Sequence, residues 1–436
     1  MTGHAAVRAR GRTVLAVSCT VVVLIAWVVH HLITPYSGEL AALWMASLLA
    51  LVWGLGLALF DRPKTGDPGD LEVAVAVPVF NEDPALLAAC LDSLLVQTRP
   101  PAVVHVVDDG STSGTYDEVR AHFLRTAAAR GVRAHWTRTA NGGKRHAQAV
   151  AFRAAPEADI YLTVDSDTVL DRHAIAEGLA PFASPRVMSV AGVCLVANNR
   201  RGLSSRIYDL WFVSFQLVDR SGQSAMGAVI VNSGILAFYR AAVVRDNLDG
   251  YLNETFFGRP VAFSDDSMLT LYALLRGRTV QQPTCVAFTH APERMSHRLR
   301  QYIRWTRGST IRTWWRLRYL PLDSYAYWAH LIHTLYFPLA TVTAVFLLLI
   351  HPVVSRALVV DAVVITVLLS YLQNLRYLTY RRSDQRFTSQ LLTYALSPVS
   401  TLWVTLFLRP LRWYAAATCF RTGWGTRTAG VEVTLT

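Results

Sequence analysis

Cysteine is scarce in this 436-residue chain, and where it occurs it is scattered. Cys19, Cys90, Cys194, Cys285 and Cys419 form no Cys-x-x-Cys pair, which excludes a cysteine zinc site and a disulfide framework and fits a reducing, cytosolic face. Charge is short as well, at 17% of residues, and acids are the scarcer sign: 30 Asp and Glu stand against 42 Lys and Arg, a net charge of +12. A basic balance of that size suits nucleic acid, anionic lipid or an anionic substrate. Many of the arginines flank apolar runs, which favours lipid and topology, and the central domain's strand ends are acidic, which speaks against nucleic acid. No repeat or low-complexity tract stands out, and no protein partner is implied. Apolar residues, by contrast, make up 52% of the chain, too many for a purely soluble protein, yet they leave a polar middle large enough for one catalytic domain.

The long apolar runs lie at the two ends. Arg8, Arg10 and Arg12 precede an uncharged run from Val14 to Val29, and Glu39 to Phe60 supplies a second, so residues 1–60 read as a transmembrane hairpin that starts in the cytoplasm. A signal peptide competes with that reading, but no small-residue cleavage site closes the first run. Asp61 to Asp70, with two prolines and two glycines, is a linker. Residues 61–290 then alternate β-prone runs (Val73 to Phe80, Val103 to Val107, Ile160 to Val164, Val187 to Val196) with helical patterns (Ala85 to Gln97, Asp117 to Arg130). That alternation predicts an α/β domain whose mainly parallel sheet is covered on both faces. Residues 291–324, rich in Arg and Trp, read as interface helices resting on membrane lipid. Apolar runs return at Ala326 to Ile350, Ala357 to Leu378 and Leu391 to Leu408, making 325–409 a C-terminal transmembrane region. Three full spans would put the basic tail, 410–436, outside; the last run, broken by Ser397-Pro398, is therefore expected to be re-entrant or interfacial.

Chemistry concentrates at predicted strand ends. The run Ile160-Tyr-Leu-Thr-Val delivers Asp165-Ser166-Asp167 to one such end, where ligands of open α/β sheets bind. Alternate residues of an extended segment share a face, so Asp165 and Asp167 suit one divalent cation, Mg²⁺ or Mn²⁺, on the diphosphate of a nucleotide sugar. Asp108-Asp109-Gly110 and Asn81-Glu82-Asp83 close two earlier strands; each alone reads equally well as a capping turn. Asn141-Gly142-Gly143-Lys144-Arg145 adds a turn that admits close approach and two cations, and it lacks the Ser or Thr of a P-loop. Ser264-Asp265-Asp266-Ser267 opens a helical pattern, where an acid is a cap or a general base. Gln301-Tyr-Ile-Arg304-Trp305 sets a cation for a leaving diphosphate beside an indole for a sugar ring.

Taken in this order, from Val73 to Arg427, the set resembles the processive family 2 glycosyltransferases, membrane enzymes related to cellulose, chitin and hyaluronan synthases. It is most similar to the bacterial hyaluronan synthases, through Gly143 to Gln148, Leu162 to Thr168, Asn232 to Arg240, Leu396-Ser397-Pro398, Arg409-Pro410-Leu411 and Trp424-Gly425-Thr426-Arg427. The resemblance implies a cytosolic domain of the GT-A type and a multi-pass protein of the plasma membrane, with UDP-GlcNAc, UDP-glucuronate and a nascent polysaccharide as its partners. By position it implies nucleotide contacts from Asp109, Lys144, Arg145 and Asp165, a metal on Asp167 with Asp165 in support, and closure over the donor by Trp424 and Arg427. It further implies Asp266 as base, Arg304 on the leaving group, and an acceptor site of Trp305, Ser233 and Gly234. Two departures stand out. The usual Gly-Asp-Asp-Arg is Ser264-Asp265-Asp266-Ser267 here, and the Cys-Ser-Gly-Pro of many hyaluronan synthases is Asn232-Ser233-Gly234-Ile235.

Overall fold

Val73–Val79 (β1) reads Val-Ala-Val-Ala-Val-Pro-Val and has no polar face. A strand of that kind needs cover on both sides, and the period of two decides which residue meets which cover. Val73, Val75, Val77 and Val79 pack with Leu87 and Leu91 of helix α1 (Pro84–Leu95) and with Phe123 of helix α2 (Asp117–Ala129). Ala74 and Ala76 turn the other way, onto Ala147, Ala151 and Phe152 of helix α3 (Lys144–Arg153). Helix α1 starts where it does because Asp83 accepts hydrogen bonds from the Ala85 and Leu86 amides at 2.9 and 3.0 Å, and Pro84 needs no partner for an amide it lacks.

In this computed structural model residues 53–345, 356–380 and 382–423 are described. The first apolar run, most of the second, Trp424 and Arg427 lie outside them. The described residues form an eight-stranded sheet that also includes β2 (Val103–Asp108), β3 (Arg133–Arg138), β4 (Ile160–Val164), β5 (Val169–Leu170), β6 (Val187–Val196), β7 (Leu236–Arg240) and β10 (Arg278–Thr289). The order is β3-β2-β1-β4-β7-β6-β10-β5. Pairs β1–β2, β1–β4, β2–β3 and β6–β10 are parallel, whereas β7 runs antiparallel between β4 and β6. A separate two-stranded hairpin, β8 (Thr255–Phe256) with β9 (Arg259–Pro260), stands beside the sheet.

Four further helices shape the site: α4 (Leu203–Phe215), α5 (Asp265–Leu274), α6 (Met295–Tyr319) and α7 (Tyr325–Val345). A buried ion pair fastens the C-terminal part to the domain. Asp209 on α4 accepts from Arg382 at 2.8 Å and from the Tyr377 hydroxyl at 2.6 Å. Among the described residues no single helix is long and apolar enough to cross a membrane. Phe387–Ala395 and Ser397–Ala417 meet the length and hydropathy requirement only together, bent by 49°. The bend falls at the Ser397-Pro398 step that the sequence marked, where proline withholds an amide.

Candidate active site

Because β1, β2 and β4 are parallel and in register, their C-terminal ends reach one edge of the sheet together. A cavity of about 1310 Å³ opens there and takes Asp109, Asp165, Asp167 and Asp266 into its wall. It is also lined by Ser233 and Gly234 and by Arg304 and Trp305 of α6. The topology thus gathers residues that lie as much as 196 positions apart in the chain, Asp109 to Trp305.

The two carboxylates of Asp165-Ser166-Asp167 are held from between. The buried Ser166 hydroxyl donates to Glu82 at 2.7 Å, and the Glu82 backbone in turn donates to and accepts from the Tyr116 hydroxyl, so the middle of the motif is tied to the interior while all three of its residues border the cavity. Lys144 spans the site, with its ammonium 2.7 Å from Asp165 and 3.2 Å from Asp265. Burial alone would lower the proton affinity of that ammonium, but Asp165 and Asp265 outweigh it and push the group above its ordinary value. The chain has two lysines, and the other, Lys64, is likewise engaged, by Asp61, the Ser224 hydroxyl and the Gln281 carbonyl.

Among the described residues no three His, Cys, Asp or Glu converge as a closed metal cage. Asp165 already holds one cation, the Lys144 ammonium, beside Asp167. A two-carboxylate site that leaves its other positions to substrate phosphates is what Mg²⁺ prefers, and the residues fit Mg²⁺ or Mn²⁺ on those terms.

Asp109 braces the glycine turn. Its carboxylate accepts from the Gly142 and Gly143 amides, both at 2.8 Å, and burial outweighs these bonds to raise its proton affinity. Asp265 and Asp266 open α5. Asp266 accepts from the Gly234 amide at 3.2 Å and the Ser267 amide at 2.6 Å; burial and then the neighbouring Asp265 raise its proton affinity, against the pull of Lys144. Asp265 goes the other way: burial would raise it, but Lys144 and Arg145 hold it below its ordinary value. The residue before this pair, Ser264, has φ 62 and ψ 38, a left-handed conformation that costs a side-chain-bearing residue about 1–3 kcal/mol.

Trp305 stacks on Phe212 with ring centroids 6.3 Å apart, and Phe212 stacks on Tyr208 at 5.8 Å. The stack holds one face of the indole while 37% of the residue remains accessible toward the cavity. Arg304 lines the same wall one residue earlier.

Arg145 has a different task from the one expected of it. It is buried, pairs with Glu254 at 2.6 Å and donates to the carbonyls of Tyr251 and Phe263, both at 2.8 Å. Successive helical residues point about 100° apart, so when Lys144 faces the cavity its neighbour on the first turn of α3 faces the interior. Glu254, by contrast, was not singled out by the sequence; a lone Glu among loop residues carries no motif.

Asn232, one of the two departures from the pattern the resemblance implies, is fully buried, and neither polar atom of its side chain has a hydrogen-bond partner among the described residues. A buried amide left in that state costs about 1–3 kcal/mol. The Asn232→Cys variant is therefore expected to unfold at a higher temperature than the parent, measured by a thermal shift in detergent; an unchanged or lower transition would show that the amide is satisfied in solution.

A profile described as "Glycosyltransferase like family 2" matches residues 68–308. The chain belongs to glycosyltransferase family 2. Among curated proteins similar to this family 2 glycosyltransferase, the hyaluronan synthase of Streptococcus pyogenes serotype M3 is 33% identical, over 86% of this chain and 88% of that one. An N-acetylglucosaminyltransferase of Azorhizobium caulinodans is 35% identical over 54% of this chain and 59% of its own. In fold, the glycosyltransferase is similar to the solved structure of a mannosyltransferase from Pyrobaculum calidifontis in complex with GDP-Man and Mn²⁺, at a TM-score of 0.51 and 21% identity, covering 84% of this chain and 98% of that one. The sheet is that of a GT-A fold.

Proposed function

We propose that this glycosyltransferase is a membrane-embedded, processive, inverting synthase that joins UDP-GlcNAc and UDP-glucuronate into hyaluronan and passes the growing chain across the plasma membrane. The observation that carries the reading is the reach of the cavity. From the acidic edge it extends to Arg316, His330, His333 and Arg412, none of which is ion-paired with a carboxylate among the described residues. Arg316 is buried, and its guanidinium donates to the Ile230 carbonyl at 2.7 Å. A buried guanidinium of this kind suits a chain that brings its own carboxylates. The hyaluronan synthase relative also matches most of both chains, where the N-acetylglucosaminyltransferase matches about half.

In the proposed reaction Asp266 takes the proton of an acceptor hydroxyl as that oxygen attacks the anomeric carbon of the donor. UDP departs from the opposite face, its charge received by Arg304 and by Lys144. Trp305 offers its open face to the acceptor ring, and Ser233 and Gly234 border the same space. Trp424 and Arg427 are assigned closure over the donor. A divalent ion on Asp165 and Asp167 supplies, when bound, charge neutralisation of the diphosphate.

A single-donor synthase of chitin-like or glucan-like chains is the second reading. It is favoured by the two departures, Asn232 and the Ser264–Ser267 run, which flank the acceptor side of Asp266. Purified protein in lipid, given Mg²⁺ or Mn²⁺, separates the two. Polymer that forms only with both donors and that hyaluronidase digests is the expected result; sustained UDP release from one donor alone would instead establish the single-sugar reading.

A further inference from the structure

Ser264 adopts a left-handed backbone, and the two carbonyls that flank its peptide units are both held by buried guanidiniums. The Phe263 carbonyl accepts from Arg145 at 2.8 Å and the Ser264 carbonyl from Arg312 at 3.4 Å. Both guanidiniums converge on one carboxylate. Glu254 accepts from Arg145 at 2.6 Å, from Arg312 at 2.7 and 3.1 Å, and from the Trp315 indole at 3.0 Å. Burial would raise the proton affinity of Glu254, but Arg312 and Arg145 overcome it and keep the group ionised.

The three anchors belong to three parts of the site. Arg145 follows Lys144 on α3; Arg312 lies two turns beyond Arg304 and Trp305 on α6; Ser264 immediately precedes the Asp265–Asp266 pair. A neutral residue at 254 would leave two buried cations facing each other with nothing between them, and both would draw away from the carbonyls they hold. We propose that Glu254 is a positioning residue for transfer, acting through Arg145 and Arg312 to hold the left-handed turn at Ser264 and so fix where Asp266 meets the acceptor. The proposal rests on the reading of Asp266 as the base. Its reach is the base's placement, and donor binding at Asp165 and Asp167 lies outside it.

The test uses the full chain in lipid with Glu254→Gln, Glu254→Asp and Glu254→Gln combined with Ser264→Gly, each first verified as folded by a cooperative thermal transition. Glu254→Gln is expected to lower kcat about 100-fold, the scale of a small misplacement of reacting groups, while KM for the donor stays within about twofold. Glycine enters the left-handed region without cost, so adding Ser264→Gly is expected to restore at least about tenfold of the lost kcat. Glu254→Asp, which keeps the charge, is expected to fall between the two. Unchanged kcat in Glu254→Gln, or a parallel loss of kcat and donor affinity that Ser264→Gly does not relieve, overturns the proposal. Asp266→Asn distinguishes the underlying reading: normal turnover there defeats the base assignment, whereas an inactive Asp266→Asn beside a normal Glu254→Gln defeats the positioning role alone.

Discussion

Asp266→Asn is expected to lower kcat by about 10³-fold and to leave metal-dependent UDP binding within a factor of about two. The amide keeps the shape of the carboxylate and can accept from one of the Gly234 and Ser267 amides, but it cannot take a proton from the acceptor hydroxyl. The donor side, at Asp165 and Asp167, is untouched. The pH dependence adds a second readout. Burial and the adjacent Asp265 raise the proton affinity of Asp266 above the ordinary carboxylate value of 3.8, against the pull of Lys144. The base works only when ionised, so kcat falls as the pH is lowered through this raised value and levels off above it. The acidic limb of the parent profile should therefore lie above pH 3.8, and residual turnover in Asp266→Asn should lack it. Equal profiles in the two proteins would assign the proton transfer elsewhere.

Gly308→Ala is expected to cost about 1–3 kcal/mol of stability and, by displacing the turn before Asp266, about 10- to 100-fold in kcat. A β-carbon at Gly308 would lie 2.7 Å from Cβ and 2.9 Å from Oγ of Ser264, with the Phe263 ring at 3.3 Å. The two closest contacts belong to Ser264, which stands where the family pattern that the sequence resembles has glycine. The small residue on α6 thus makes room for the larger one on the turn, and the pair acts as a unit. Ser264→Gly removes both contacts, so the double variant should recover most of the stability and activity that Gly308→Ala loses. A double-mutant cycle in thermal stability measures the coupling; strict additivity would show that the two residues do not share the space.

Much of the fold was legible because the strands that carry it are uniform. Ile160–Val164 and Val187–Val196 were read with the bounds they have, and β1 and β2 to within one residue, since apolar strands covered on both faces contrast sharply with their flanks. The strands that escaped notice lack that contrast. Arg133–Arg138 is an edge strand with polar residues along it, Leu236–Arg240 is short and follows a motif read for its chemistry, and Arg278–Thr289 is interrupted by Gln281-Gln282-Pro283-Thr284, where its register with β6 shifts. Asp109, Asp165, Asp167 and Asp266, which the sequence singled out, border the cavity, since each closes a strand or opens a helix. Arg145 was read together with Lys144, yet adjacency in sequence says nothing about direction on a helix, and its side chain turns to Glu254. Glu254 was missed for the opposite reason, because its partners come from α3 and α6 and only the fold brings them to it.

The chain's two lysines give it an unusual chemical profile. A reagent that acylates lysine side chains finds Lys144 held protonated between Asp165 and Asp265, a poor nucleophile in this state, whereas burial lowers the proton affinity of Lys64 despite the neighbouring Asp61. Any ligand that competes for Asp165 alters the surroundings of one of these two amines. Labelling of a single peptide, followed by mass, then reports occupancy of the donor end of the cavity without a radioactive sugar or a polymer assay.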